Sequence, residues 1–249
     1  MIIIKTDHEI ECMRKSGRIV GETLVMLQEL VRPGITTAEL DIIAEEYIIK
    51  CGAKPSFKGY YGFPYSLCIS VNSEVVHGFP SKEVVLQEGD IVSIDCGAIL
   101  NGYHGDAART FPVGKVSSDA QKLMQVTKES FFKGVEYAVI GNRLTDISHA
   151  VQEYVESFGY SVVRDYVGHG IGKNMHEDPE IPNFGRPGRG PKLVNGMVLA
   201  IEPMVNLGNY HVKVMPNDWT VVTVDGSLSS HYENTVAIRE NGPEILTLV

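Results

Sequence analysis

The chain has 249 residues, of which 43% are hydrophobic and 21% are charged, a composition that suits one large globular domain or two tightly fused halves. Its net charge is −9 and it contains no basic run, which argues against nucleic-acid binding. No apolar stretch is long enough to span a membrane or to form a signal peptide, and the four cysteines show no CxxC spacing. We therefore expect a cytoplasmic protein without structural zinc.

Two helices are predicted at the start of the chain. Apolar residues at helical spacing predict a helix over Asp7–Leu30, which Pro33-Gly34 ends. Thr37 is predicted to be the N-cap of a second helix over residues 38–51, and Gly52 ends that helix. The apolar faces of both helices are typical of core packing, so we assign them no chemistry.

A loop comes next, over residues 56–64, with the sequence SFKGYYGFP. Its aromatic residues are explained more simply by core or loop packing than by a binding pocket. His77, which precedes a glycine at a strand end, is left open between a structural and a catalytic role. The other predicted elements are strands at 66–71, 75–78 and 160–164 and helices at 118–137 and 146–158.

The stretch 89–111, GDIVSIDCGAILNGYHGDAARTF, is repeated in outline later in the chain. An offset of 107 turns GDIVSID into GMVLAIE, so that Asp95 corresponds to Glu202. Further on the offset becomes 127, and Asp106 then corresponds to Glu233. We infer a single domain, 1–249, whose halves (roughly 10–115 and 117–240) are related by an approximate two-fold axis.

Each half delivers two carboxylates, predicted to end short apolar strands, towards that axis. A single buried aspartate could be a capped turn or half of an ion pair, but four converging acids repel one another unless cations lie between them. The predicted set therefore indicates a pair of metal ions. Such a pair can share a water molecule, lower its pKa and provide hydroxide as a nucleophile for amide or ester hydrolysis.

Histidines and glycines mark a second part of this predicted site. His169 lies in GHGIG, where the glycines exclude a stable helix and indicate a tight backbone that something approaches closely. His176-Glu177 is not the HExxH zinc helix, because no second histidine follows four residues later. Residues 184–192, FGRPGRGPK, are predicted to be a mobile surface loop.

The ordered set of Asp95, Asp106, GHGIG with His169, IEP with Glu202 and YENT with Glu233 closely resembles the pita-bread metallopeptidases, and within them the bacterial-type (type I) methionine aminopeptidases. The resemblance covers essentially the whole chain. It implies an α+β fold with a central antiparallel sheet and helices on its outer face. It also implies metal-dependent removal of the N-terminal methionine from nascent proteins and peptides.

The resemblance also implies a role for each matching residue. Asp95 would bind one metal, His169 and Glu202 the other, and Asp106 and Glu233 both. Glu202 would in addition carry the proton of the attacking water. The resemblance further implies that His77 meets the scissile amide nitrogen, that His176 stabilises the oxyanion, and that the methionine side chain is bound by Tyr60, Phe63, Cys68 and Trp219. His104 and His231, two residues before Asp106 and Glu233, are expected to pack around the site without binding metal.

Two divalent ions among Co²⁺, Mn²⁺, Fe²⁺ and Zn²⁺ suit this ligand set, and the sequence does not select one of them. The expected partners are the N-terminal methionines of nascent chains, including chains at the ribosome, and a monomer is expected. Two rivals stay open: a prolidase-like or aminopeptidase P-like enzyme, which usually carries a large additional N-terminal domain, and a non-catalytic binding module, which usually lacks metal ligands.

Overall fold

The computed structural model describes all 249 residues. It contains four long helices: α1 Asp7–Leu30, α2 Thr37–Lys50, α3 Ser118–Val135 and α4 Leu144–Glu156. The bounds predicted for the first helix are confirmed. The second begins one residue earlier than predicted, because Thr36, not Thr37, is its N-cap. Thr36 and Glu39 form a capping box, in which each side chain satisfies the backbone N–H of the other residue.

Fifteen strands form four antiparallel sheets. The strands are β1 Lys54–Pro55, β2 Leu67–Val71, β3 Glu74–Val76, β4 Ile91–Leu100, β5 Tyr103–Pro112, β6 Ser161–Val162, β7 Gly168–Gly170, β8 Glu177–Ile181, β9 Val198–Ile201, β10 Met204–Asn206, β11 Val212–Val214, β12 Val221–Thr223, β13 Ser229–His231, β14 Asn234–Arg239 and β15 Gly242–Ile245. The two larger sheets are β1-β4-β2 with β5 paired to β4, and β15-β14-β9-β7-β8.

The two larger sheets meet through β5 and the chain that enters β14. Ala108 and Glu233 exchange backbone hydrogen bonds of 3.3 and 3.0 Å. Next to them, the Thr235 hydroxyl accepts from the Asp106 N–H at 3.0 Å and donates to the Asp106 carbonyl oxygen at 2.9 Å. The pairing brings the acid-bearing segments of the two halves together, as the repeat predicts.

Helix α1 packs closely on the hairpin formed by β4 and β5. The closest approach is between Gly105 and Gly17, where a Cβ on Gly105 would lie 2.7 Å from the Gly17 nitrogen. Buried apolar side chains from α1, α2 and the sheet then form a core cluster of 19 residues under the helices. No helix combines the length and apolarity needed to cross a membrane.

Other local predictions were wrong. Asp95 and Asp106 do not end their strands but lie in the middle of β4 and β5, because both strands continue through small residues beyond the acids. The strand predicted at 160–164 pairs over only two residues, Ser161–Val162. Residues 184–192 form the predicted surface loop, which is hydrogen-bonded to α4 from Gly188 N–H to Asp146 Oδ1 and from Arg189 N–H to Thr145 Oγ1.

Candidate metal centre and catalytic site

The five predicted metal ligands lie around one cavity of about 160 Å³ between the two larger sheets. They reach it from different elements of the fold. The ligands are Asp95 in β4, Asp106 in β5, His169 in β7, Glu202 directly after β9 and Glu233 between β13 and β14. Strand pairing sets their relative positions, since Asp95 is in register with Ala108 and His169 with Ala200.

His169 lies between two of the carboxylates. Its Nε2 is 3.7 Å from Asp106 Oδ2 and 3.7 Å from Glu202 Oε1. One ligand atom from each of Asp106, His169 and Glu233 falls within 4.8 Å of the other two. These separations are close to those of donor atoms that share one cation, since two bonds of about 2.1 Å place their donors about 3–3.5 Å apart.

A hydrogen bond from the other ring nitrogen, Nδ1, fixes the orientation of the His169 ring. Its Nδ1 donates to the Gly170 carbonyl oxygen at 2.9 Å, which leaves Nε2 with a lone pair towards the cavity. The flanking glycines are required by neighbouring strands, because a Cβ on Gly168 would lie 2.3 Å from the Ala200 oxygen and one on Gly170 would lie 2.2 Å from the Asp178 oxygen. The tight backbone predicted around His169 is therefore present, and β8 and β9 are what approach it.

Burial perturbs all four carboxylates, and repulsion by neighbouring acids adds to its effect on three of them. Burial raises the pKa of Asp95 to about 7. The pKa values of Asp106, Glu202 and Glu233 are also raised well above the ordinary range, first by burial and then by the charges of the neighbouring acids. A site that is unfavourable for four negative charges becomes favourable when cations neutralise them.

Three buried oxygen atoms without a hydrogen-bond partner also indicate that cations bind at this site. Asp95 Oδ1, Asp106 Oδ1 and Glu233 Oε1 are buried and have no hydrogen-bond partner. Buried polar atoms are normally satisfied, so these three need a partner that the protein itself does not supply. Carboxylate oxygens with an imidazole nitrogen are a donor set for divalent transition metals, and the residues therefore fit such ions.

His77 reaches the cavity from the end of β3 with a strained backbone. Its φ is +59°, a conformation that residues with a side chain rarely adopt and that is often retained at functional sites. The turn requires a glycine at position 78, because a Cβ on Gly78 would lie 2.1 Å from the Ile69 oxygen. Burial lowers the pKa of His77 to about 4, so its ring is neutral near pH 7. A neutral imidazole can donate to or accept from a substrate.

His176 also lines the cavity. Its ring packs edge-on against His169, with ring centroids 4.2 Å apart, and its Nδ1 is hydrogen-bonded to the Tyr60 hydroxyl at 2.8 Å. Burial of the ring lowers its pKa. His176 thus has one ring nitrogen held by Tyr60 and the other free for a ligand in the cavity.

The predicted side-chain pocket is formed by aromatic residues at one end of the cavity. Phe63 packs edge-on against Trp219, with centroids 5.1 Å apart, and Cys68 lies beside Asp95 in the paired strand β2. Tyr60, Phe63, Cys68 and Trp219 all line the cavity. Sequence reasoning missed three further lining residues: Phe57, Tyr61 and Met175. Phe57 and Tyr61 lie in the loop whose aromatic density was noted, and Met175 directly precedes His176.

Arg109 was not predicted from the sequence either, because nothing in its sequence context distinguishes it from a surface arginine. Its guanidinium stacks on Tyr232 at 4.3 Å and donates to the Glu233 carbonyl oxygen at 2.5 Å and to Asn234 Oδ1 at 2.6 Å. These bonds fix the backbone that carries Glu233. His104, by contrast, is hydrogen-bonded to the Ser56 hydroxyl at 2.8 Å, away from the carboxylates.

Comparison with known proteins gives a consistent result. Residues 11–240 match the model of metallopeptidase family M24. The methionine aminopeptidase of Clostridium acetobutylicum is 74% identical over 248 residues, which cover 100% of this chain and 99% of that protein. The crystal structure of methionine aminopeptidase from Thermotoga maritima superposes with a TM-score of 0.99 at 50% identity, covering 100% of both chains. The predicted α+β pita-bread fold is thereby confirmed.

A more distant likeness bears on the proline-directed rival. The prolidase of Pyrococcus furiosus has a TM-score of 0.80 and 28% identity, and the match covers 99% of this chain but 66% of that one. The two share the catalytic fold, while about a third of the prolidase has no counterpart in this chain.

Proposed function

The chain belongs to metallopeptidase family M24, and from that premise we propose that it removes the N-terminal methionine of peptides and nascent proteins by hydrolysis at the site formed by Asp95, Asp106, His169, Glu202 and Glu233. The observation that carries the proposal is the cavity that combines these ligands with an aromatic pocket. The ligands can hold the metal that the hydrolysis requires, and the pocket can bind a long apolar side chain.

We assign the ligands to two divalent cations. Asp95 would hold one, His169 and Glu202 would hold the other, and Asp106 and Glu233 would contribute to holding both. Bound cations of this kind act as Lewis acids and lower the pKa of water towards neutrality. The arrangement agrees with the buried, unpartnered oxygens of Asp95, Asp106 and Glu233.

The remaining steps fall to the protein side chains. Glu202, beside His169, would accept the proton of the attacking water and pass it on to the leaving amine. His77 would donate to or accept from the scissile amide, and His176 would stabilise the negative charge that develops on the carbonyl oxygen.

Substrate selection would come from the pocket beside the ligands. Phe63 and Trp219 present aromatic faces and Cys68 a polarizable sulfur, and both kinds of surface favour contact with a thioether. We further propose that the second residue of the substrate must be small. Comparable cleavage of Met-Ala and Met-Leu peptides would contradict that proposal.

We also propose a setting for the activity. Nascent chains carry N-terminal methionine in the cytoplasm, and four free cysteines suit that reducing compartment. The chain would act there as a monomer, on chains at or released from the ribosome. Any of Co²⁺, Mn²⁺, Fe²⁺ and Zn²⁺ would be accepted by the ligand set.

The test is methionine release from Met-Ala-Ser by Co²⁺-loaded wild type, Glu202→Gln and Asp41→Asn. Asp41 is a buried aspartate outside the cavity, and its variant controls for the loss of a buried charge as such. We expect Glu202→Gln to lose at least about 10²-fold in kcat, the usual contribution of a positioned acid or base, and Asp41→Asn to keep wild-type activity. Equal rates for Glu202→Gln and wild type would contradict the proposed role of the carboxylate.

A further inference from the structure

His231 is the one histidine beside the metal centre that the assignment above leaves without a role. Its side chain is almost completely buried, with 1% of the residue exposed, and its Nε2 has no hydrogen-bond partner. That nitrogen is 3.7 Å from Glu202 Oε2 and 3.8 Å from Glu233 Oε2. One donor atom from each of Glu202, His231 and Glu233 falls within 4.8 Å of the other two.

These separations distinguish a metal ligand from a hydrogen-bonding neighbour. At 3.7 and 3.8 Å the Nε2 atom is too far from either carboxylate for a hydrogen bond. His169, which is assigned as a ligand on other grounds, has its Nε2 at the same distance of 3.7 Å from Asp106 and Glu202. The two Nε2 atoms therefore lie at the same distance, 3.7 Å, from Glu202.

Glu202 lies between the two histidines. Its Oε1 faces His169 and its Oε2 faces His231, each at 3.7 Å. Carboxylate oxygens and an unprotonated imidazole nitrogen are both donors to metal, so a cation between Glu202 and each ring nitrogen would bond to both.

The other half of the chain supplies a comparison. His104 precedes Asp106 by two residues as His231 precedes Glu233, so the repeat places the two histidines in corresponding positions. His104 is hydrogen-bonded to Ser56 at 2.8 Å, and none of its ring atoms belongs to a cluster of possible ligands. The direction of the His231 ring is thus a feature of this half and not a consequence of strand pairing alone.

We propose that His231 binds a divalent cation through Nε2, together with Glu202 and Glu233, as a sixth protein ligand of the metal centre. The inference rests on the proposed function for the two-cation site and adds a second imidazole to it. Imidazole favours Co²⁺, Fe²⁺ and Zn²⁺ over Mn²⁺, which prefers oxygen donors. His231 would therefore shift the metal preference of this enzyme away from Mn²⁺.

The direct test is a crystal structure of the wild-type protein with Co²⁺, in which anomalous scattering locates the ions. We expect an ion at about 2.1 Å from His231 Nε2, the ordinary metal–imidazole distance. Ions bound to the other five ligands with His231 Nε2 more than about 3 Å from each of them would overturn the inference, because no bond is possible at that distance.

A solution test uses His231→Gln and its matched control His104→Gln, with Co²⁺ and Mn²⁺ affinities measured by competition with a chelator. We expect His231→Gln to lose about 100-fold in Co²⁺ affinity and about tenfold or less in Mn²⁺ affinity, and His104→Gln to keep the wild-type ratio. Equal losses for the two metals in His231→Gln would overturn the inference, since that result indicates a residue that only orients a carboxylate.

Failure of this inference can be told apart from failure of the proposed function. Wild-type protein that binds two ions, releases methionine from Met-Ala-Ser and leaves His231 unbound contradicts the sixth ligand alone. Wild-type protein that binds Co²⁺ through His231 but releases no methionine contradicts the proposed function and leaves the ligand in place.

Discussion

The acid cluster should destabilise the protein whenever metal is absent, and Asp95→Asn tests this most sharply. The substitution replaces a buried carboxylate by an amide of the same shape. Asp95 also contributes to the raised pKa values of Asp106, Glu202 and Glu233, so its neutralisation relieves three neighbours. We expect the metal-free variant to be more stable than metal-free wild type at pH 8.

The magnitude follows from the pKa of Asp95, which burial raises from 3.8 to about 7. At pH 8 the group is ionised in both the folded and the unfolded protein, so the folded state carries the full cost of about 4 kcal/mol, at about 1.4 kcal/mol per pKa unit. The buried amide of the variant costs about 1–3 kcal/mol. The expected net gain is therefore about 1–3 kcal/mol.

The direction in which this stability gain changes with pH follows from the same pKa. A carboxyl group whose folded-state pKa is raised causes no loss of stability below the unfolded pKa of 3.8, and the loss grows until the pH passes the folded pKa of about 7. The advantage of Asp95→Asn should therefore shrink from pH 8 to pH 5, where the cost in wild type falls to about 2 kcal/mol.

The assay is urea unfolding in EDTA at both pH values, repeated at pH 8 with Co²⁺. Wild type should gain about 2.7 kcal/mol or more at a metal concentration 100 times Kd, and Asp95→Asn should gain much less. Asp41→Asn, whose side-chain oxygen can still accept from Ser66 and Leu67 N–H, should keep the wild-type response to metal. A metal-free Asp95→Asn protein that is less stable than wild type at pH 8 would refute the reasoning.

Three other outcomes are expected. His77→Ala and His176→Ala should each lower kcat by about 10²–10⁴-fold in peptide assays, while Co²⁺ affinity in a chelator titration stays within about threefold of wild type. A comparable loss of Co²⁺ affinity would contradict the assignment of these histidines to the substrate. Trp219→Ala should raise KM for Met-Ala-Ser with kcat largely kept; an unchanged KM would place the methionine elsewhere. Gly105→Ala should lower the free energy of unfolding by about 1–3 kcal/mol in urea, because the new Cβ meets the Gly17 backbone, and no loss would show that α1 can move away.

The sequence is sufficient for the parts of the fold that depend on local patterns. The apolar spacing of α1 and the glycines and acids of the repeat can be recognised without a structure, and both were predicted. The N-cap of α2 was also recoverable, since Glu39 stands three residues after Thr36 and not after Thr37.

Other features depend on contacts between distant segments. The apolar run stops at Asp95 and so predicts the end of a strand there, but β4 continues through Cys96–Leu100 by pairing with β5. The loop at 184–192 gives no sign of its bonds to the start of α4. Phe57 and Met175 line the cavity because two segments far apart in the chain both border it, and neither residue type indicates that on its own.

The direction in which an individual side chain points is the property that is hardest to predict from the sequence. His104 and His231 occupy corresponding positions in the repeat, and both were predicted to pack around the site. In the structure the first is bonded to Ser56, whereas the second faces Glu202 and Glu233. The difference arises from tertiary contacts that the two halves do not share.

The central claim is that this chain is a metal-dependent aminopeptidase specific for methionine. Its most direct test is peptide cleavage by metal-stripped protein, with and without added Co²⁺ or Mn²⁺, using Met-Ala-Ser and Ala-Pro-Ala side by side. We expect release of methionine from the first peptide only when metal is present, and no cleavage of the second. Cleavage of Ala-Pro-Ala alone would assign the chain to the proline-directed relatives, and cleavage of neither peptide despite bound metal would contradict the aminopeptidase activity.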